Sequence, residues 1–135
     1  MSKAAVVFYS GSGNTEAMAD VIAGAIGADK IEAANFSAAQ VADFDAIAFG
    51  CPAMGDEVLE ETVFQPMWDN VKGNLRGVKV ALFGSYGWGD GQWMRDWETD
   101  ATTAGVVLAC ESVICNDAPD DEATAALEAL AKAIG

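Results

Sequence analysis

The chain has 135 residues, 52% of them apolar and 21% charged, which is enough for one hydrophobic core and far from the composition of a disordered segment. Seven basic residues against twenty-one acidic ones leave a formal net charge of −14, which repels nucleic acid and anionic lipid and favours a basic partner. Histidine is absent, so the usual general base is missing, and Cys51, Cys110 and Cys115 lack the spacing of a metal knot or a disulfide framework.

In chain order, Ala4 to Tyr9 forms a continuous apolar run closed by Ser10-Gly11-Ser12-Gly13-Asn14, the pattern of a strand buried on both faces. Thr15 is expected to cap a helix in which Met18, Val21, Ile22, Ala25 and Ile26 recur at helical spacing before Gly27 stops it. A weak strand over 30–34 follows, then a strand over 45–50. Val63, Phe64, Met67, Trp68 and Val71 share one face of a helix from about Thr62 to Lys72, and a strand over 78–84 comes next. Trp93, Met94 and Trp97 predict a helix over 92–103, which we expect to pack in the core. A fifth strand begins at Val106. The last helix, over 121–134, faces the core through Ala123, Leu127, Leu130 and Ile134.

Strands alternating with helices through right-handed crossovers give an α/β fold of three layers, a doubly wound five-stranded parallel sheet in the order 2-1-3-4-5. No linker or repeat suggests a second domain, so 1–135 is expected to be one. No run approaches the ~18 apolar residues of a membrane span, and the run after Lys3 is too short for a secretory core, so the expectation is a cytoplasmic monomer.

In such sheets ligands sit beyond the carboxyl ends of the strands where strand order reverses, which brings together the loops at 10–15, 51–61 and 85–91. The first, Ser10-Gly11-Ser12-Gly13-Asn14-Thr15, joins a strand to a helix amino terminus, where free N–H groups and the helix dipole favour an anion. Gly13 is followed by Asn14 rather than lysine, which excludes a nucleoside-triphosphate loop, and Glu16 occupies the third glycine position of a dinucleotide fingerprint. A single terminal phosphate fits better. In the third loop, Ser85-Tyr86-Gly87-Trp88-Gly89-Asp90-Gly91, two aromatics stand among glycines at a strand end, as if to stack on a planar heterocycle. The second loop offers Ala53, then Met54, a soft apolar side chain suited to a ring face, then Gly55, whose peptide can reverse at little steric cost, then Asp56 and Glu57.

Two rivals share parts of this pattern. A phosphoryl-accepting receiver domain needs paired acids after strand one and an aspartate ending strand three, where this chain has Tyr9-Ser10 and Gly50-Cys51. A cysteine phosphatase needs an arginine just after its thiol, and none follows Cys51 before Arg76. A reductase that binds NAD(P)H and turns over a small substrate stays open as an alternative.

Three segments, SGSGNTE, AMGDEVLEE over 53–61 and ALFGSYGWGDGQWMRD over 81–96, closely resemble the flavodoxins, in particular the short-chain clostridial type. The resemblance spans the chain and implies a non-covalently bound FMN. It implies that Ser10, Ser12, Asn14 and Thr15, with the backbone of Gly11 and Gly13, hold the phosphate. Trp88 would cover the outer ring face and Met54 the inner one. Glu57 would accept from the flavin N3–H, and backbone N–H groups near Asp56, Gly87 and Trp88 would serve the pyrimidine oxygens. Gly55 would be the flipping peptide, with Ala53, Ser85, Tyr86 and Gly89 completing the two ring loops. Ser12 stands where many relatives have threonine. The implied activity is that of a low-potential electron carrier, not an enzyme, shuttling between semiquinone and hydroquinone for redox proteins with basic surfaces that dock transiently. No metal is implied. A shell of Asp56, Glu57, Glu60, Glu61 and Asp90 would oppose an added negative charge, each by about 1.5 kcal/mol at ~10 Å and an effective dielectric near 20.

Overall fold

Residues 3–9, 11, 13–54, 59–87, 89 and 91–135 are described by a computed structural model. The apolar runs become parallel strands β1 (Ala4–Phe8), β2 (Asp29–Glu32), β3 (Ala46–Gly50), β4 (Lys79–Tyr86) and β5 (Val113–Asn116). They form one sheet in the order β2-β1-β3-β4-β5, as the alternation predicts. Helices α1 (Asn14–Ile26), α2 (Ala38–Val41), α3 (Phe64–Val71), α4 (Gln92–Thr103) and α5 (Asp121–Ile134) cover both faces.

Period-two alternation sorts the central strands between the two faces. Val6, Phe8, Ala46, Ala48, Ala81 and Phe83 meet Met18 and Ile22 of α1 and Leu127 and Leu130 of α5. The other face turns Val7, Ile47, Phe49 and Leu82 toward Phe64 and Trp68 of α3 and Trp93 and Trp97 of α4. Three of the four tryptophans are therefore core residues, and Trp68 and Trp97 meet edge to face with ring centroids 5.7 Å apart.

Four local features differ from the sequence expectation. Thr15 does not cap α1: the cap is Gly13 in a left-handed conformation with φ 94°, and Thr15 lies in the first helical turn. A short helix, α2, stands between β2 and β3, opened by Ser37, whose N–H donates to Gln40 Oε1 at 2.9 Å. β4 runs two residues further than expected, so Ser85 and Tyr86 belong to the strand. The fifth strand does not start at Val106. Leu108 makes one bridge to Val80, the chain then leaves the ladder, and pairing resumes at Val113 opposite Phe83. Across that interval β4 advances three residues and its partner five, so 109–112 bulge outward.

Candidate functional site

The three expected loops do converge at the carboxyl end of the sheet. β1 ends beside β3, where the Tyr9 N–H donates to the Gly50 carbonyl at 3.0 Å. From there the chain enters α1 through Gly13, whose φ of 94° lies in the left-handed region, so the amino terminus of the helix stands at the loop end of the sheet. Thr15, next in line, is 1% exposed, and its Oγ1 finds no hydrogen-bond partner among the described residues. Trp97 Nε1 in the core shares that state among the described residues, so what distinguishes the Thr15 hydroxyl is its place in the first turn of a helix, where an anion is favoured.

The second loop begins as an extension of the β3–β4 ladder. Cys51 N–H donates to the Phe83 carbonyl at 3.2 Å and Ala53 N–H to the Ser85 carbonyl at 3.0 Å. Gly84 permits this approach, because a Cβ there would lie 2.2 Å from the Cys51 carbonyl oxygen. Trp93 Nε1 donates to the same oxygen at 3.2 Å, tying α4 to the loop. Burial pushes the Cys51 thiol pKa far up, so the group is a protonated packing residue and not a nucleophile. Ala53 is half-buried against the core, while Met54 is 37% exposed. Only Val107 joins it as an exposed large apolar side chain among the described residues.

Glu60 closes this loop in a way the sequence reading missed. Its carboxylate accepts from the N–H groups of Thr62 at 2.9 Å, Val63 at 2.7 Å and Phe64 at 2.8 Å, and from the Thr62 hydroxyl. Burial raises its pKa, but the Thr62 hydroxyl and the three amides outweigh that and hold the carboxyl below its ordinary value. Glu60 is therefore an ionised anchor of α3; the signal was its place just before the helix, at Glu60-Glu61-Thr62-Val63-Phe64.

In the third loop the Ser85 side chain is buried and its hydroxyl donates to the Asp117 carbonyl at 2.5 Å, while the Tyr86 ring packs 5.5 Å from Trp93. Gly87 and Gly89 are exposed, and Gly91, with φ 93°, opens α4. Gly11, Gly13, Ala53, Met54, Gly87 and Gly89 thus stand on the three loops at this end of the sheet, with Asn14 and Thr15 at the start of α1 and Ser85 and Tyr86 at the end of β4. Ser10, Ser12, Gly55, Asp56, Glu57 and Trp88 lie outside the described residues, as does Asp90. Trp68 and Trp97 stay with the core, and Trp68 Nε1 donates to Asp100 Oδ2 at 2.8 Å.

Comparison with known proteins gives this geometry its context. The flavodoxin family model matches residues 6–129. The chain belongs to the flavodoxin family. It is 44% identical over 121 residues to a flavodoxin of Clostridium beijerinckii, covering 86% of this chain and 88% of that one. Identity to a flavodoxin of Megasphaera elsdenii is 43% over 122 residues, with the same coverage. The solution structure of two-electron reduced Megasphaera elsdenii flavodoxin superposes with a TM-score of 0.85 at 39% identity, covering 96% of this chain and 98% of that one. As a flavodoxin, the chain is an FMN-binding electron carrier for redox partner proteins, and the family is not one of enzymes. The reductase alternative finds no support in these comparisons.

The described residues fit a flavin mononucleotide. A helix amino terminus and an unpartnered buried hydroxyl suit a phosphate, and an exposed thioether next to an apolar wall suits a ring face. Among the described residues no group of histidine, cysteine and carboxylate side chains could hold a metal ion, and no helix is long and apolar enough to cross a membrane.

Proposed function

We propose that the whole chain is one FMN-binding domain acting as a low-potential one-electron carrier, with Ser10 to Thr15 on the phosphate and the loops at 53–57 and 85–89 on the ring. The observation that carries this reading is Thr15 Oγ1, a buried hydroxyl in the first turn of α1 without a partner among the described residues. FMN bound there supplies reversible single-electron transfer. The protein's part is to fix it: Thr15 donates to the phosphate together with the first N–H groups of α1, Gly13 turns the chain so that those groups face it, and Met54 keeps water from one ring face.

Charge distribution supports the partner half of the proposal. Lys3 precedes β1, Lys79 starts β4, Arg76 precedes β4, and Lys72 and Lys132 lie at the ends of α3 and α5. Five of the seven cations thus stand at the end of the sheet opposite the loops, where Asp29, Asp45, Asp69 and Asp100 offset them, while Glu61, Asp117, Asp120, Asp121 and Glu122 leave the loop end negative. Such a polarity turns the loop end toward a positively charged redox protein and favours brief encounters of a cytoplasmic monomer over stable assembly.

Titration of the apoprotein with FMN tests the site. One equivalent should be taken up with quenching of the dye's emission, and Thr15→Val should weaken uptake by about ten- to a hundredfold, the worth of a charge-assisted hydrogen bond. An unchanged affinity would overturn the assignment of the phosphate loop. Electron-transfer rates to a basic haem protein should fall steeply with ionic strength, and salt independence would overturn the docking proposal.

A further inference from the structure

The sequence reading assembled the site from three loops, but the structure ties a fourth segment to it. Between β5 and α5 the chain passes through Asp117, which among the described residues is the only one other than glycine with a positive φ, 58°. L-residues resist this conformation, and aspartate and asparagine tolerate it best. Such strain persists where the surroundings determine it, and here they do so from the third loop. Asp117 N–H donates to the Tyr86 carbonyl at 2.9 Å, and the Ser85 hydroxyl donates back to the Asp117 carbonyl at 2.5 Å. Asn116 Nδ2 adds a third bond to the Tyr86 carbonyl at 3.3 Å. On the far side, the Asp120 side chain accepts from Ala123 N–H at 2.8 Å, so the turn is pinned to α5 as well. The Asp117 carboxylate lies alongside Gly87, 3.9 Å from where a Cβ on that glycine would stand.

We propose that Asp117 is a positioning residue for the flavin ring: its left-handed backbone clasps Ser85 and Tyr86 and presets the loop that leaves β4 through Gly87. This rests on the reading of the third loop as a ring-binding loop. Without the clasp, the loop would be ordered only as ligand binds, and affinity would fall by the fraction of molecules preset beforehand. The clasp belongs to the protein alone, so it exists before FMN arrives.

The test uses the full chain with four substitutions at one position. Asp117→Asn and Asp117→Gly accept the left-handed conformation, while Asp117→Ala and Asp117→Val resist it. In the apoprotein the Asp117 amide should exchange slowly with solvent in the wild type, Asn and Gly forms, and at least about tenfold faster in the Ala and Val forms. FMN affinity should follow the same division, with asparagine rescuing the loss. Ser85→Ala, which removes one clasp bond and leaves the φ of residue 117 alone, should speed that exchange too, and it keeps the test valid should the valine form fail to fold. The proposal falls if the Ala and Val forms bind FMN like the wild type, or if the Asn and Gly forms lose as much as Val. Failure of the wild type to take up FMN would instead sink the site reading, and the exchange rates of the apoprotein would still decide the clasp.

Discussion

The Glu60 carboxylate and the Phe64 amide nitrogen stand 2.8 Å apart at the mouth of α3. With Thr62 and Val63 donating to the same group, one side chain satisfies the first N–H of the helix and the two just before it, where the preceding residue, Val63, offers no side-chain cap. Glu60→Ala should lower stability at neutral pH by about 2–3 kcal/mol, the worth of hydrogen bonds to a buried charge, with Glu60→Gln in between. The folded-state pKa lies below the ordinary 4.5, so the stabilisation is complete above that value and is lost as pH falls through the folded one. Urea midpoints of wild type and Glu60→Ala should therefore separate at pH 7 and converge in acid; a gap independent of pH would refute the account.

Thr15→Val should act with opposite sign on the two forms of the protein. A buried hydroxyl that finds no partner among the described residues carries a desolvation penalty, so the valine form of the apoprotein should be more stable by about 1 kcal/mol. The FMN-loaded form should lose the hydrogen bond to phosphate. Thermal unfolding with and without FMN reads both, and a variant destabilised in the absence of ligand would contradict the reading.

Two glycines near the site should fail for different reasons. At Gly84 a Cβ would lie 2.2 Å from the Cys51 carbonyl oxygen, so Gly84→Ala must push β4 and the second loop apart, at a cost of about 1–3 kcal/mol. At Gly13 a Cβ meets nothing within 4 Å, but φ is +94°, so Gly13→Ala suffers strain of about 1–2 kcal/mol, and Gly13→Asn should suffer less. Denaturant titration of the three variants checks the distinction, which vanishes if asparagine and alanine at 13 are equivalent.

Trp93→Phe removes the indole donor to the Cys51 carbonyl while keeping most of the buried area. A loss of about 1–2 kcal/mol in stability is expected, together with faster amide exchange at Ala53, whose N–H hydrogen-bonds the neighbouring Ser85 carbonyl. Unaltered exchange at Ala53 would show that α4 does not brace the loop.

Buried apolar runs and helical spacing made the sheet order legible, because both signals report directly on which faces meet the core. The helix α2 was obscured by its length: within it only Val41 is buried, too little for a period to show, although Ser37 and Gln40 carry a capping signature. The fifth strand was misplaced because Val106 to Cys110 reads as a buried run, whereas Val107 is 75% exposed and pairing belongs to the less apolar stretch after Ser112. At the candidate site, Gly13, Gly87, Gly89 and Met54 stand out in the sequence as residue types out of place at strand ends. The Glu60 anchor and the Asp117 clasp were not, since each depends on a side chain or a φ angle meeting a backbone group whose position only the folded chain defines.

The outward loop of 109–112 offers a place to lengthen the polypeptide. Leu108 on one side and Val113 on the other hold the register of β4 and β5 independently, and the Ser112 hydroxyl is moored to Glu98 at 2.7 Å. A peptide spliced between Cys110 and Glu111 would leave on the flank of the sheet without shifting the strand that ends at Asn116. Covalent fusion to an electron donor or acceptor at this point would give a tethered pair whose encounter rate is set by tether length instead of concentration.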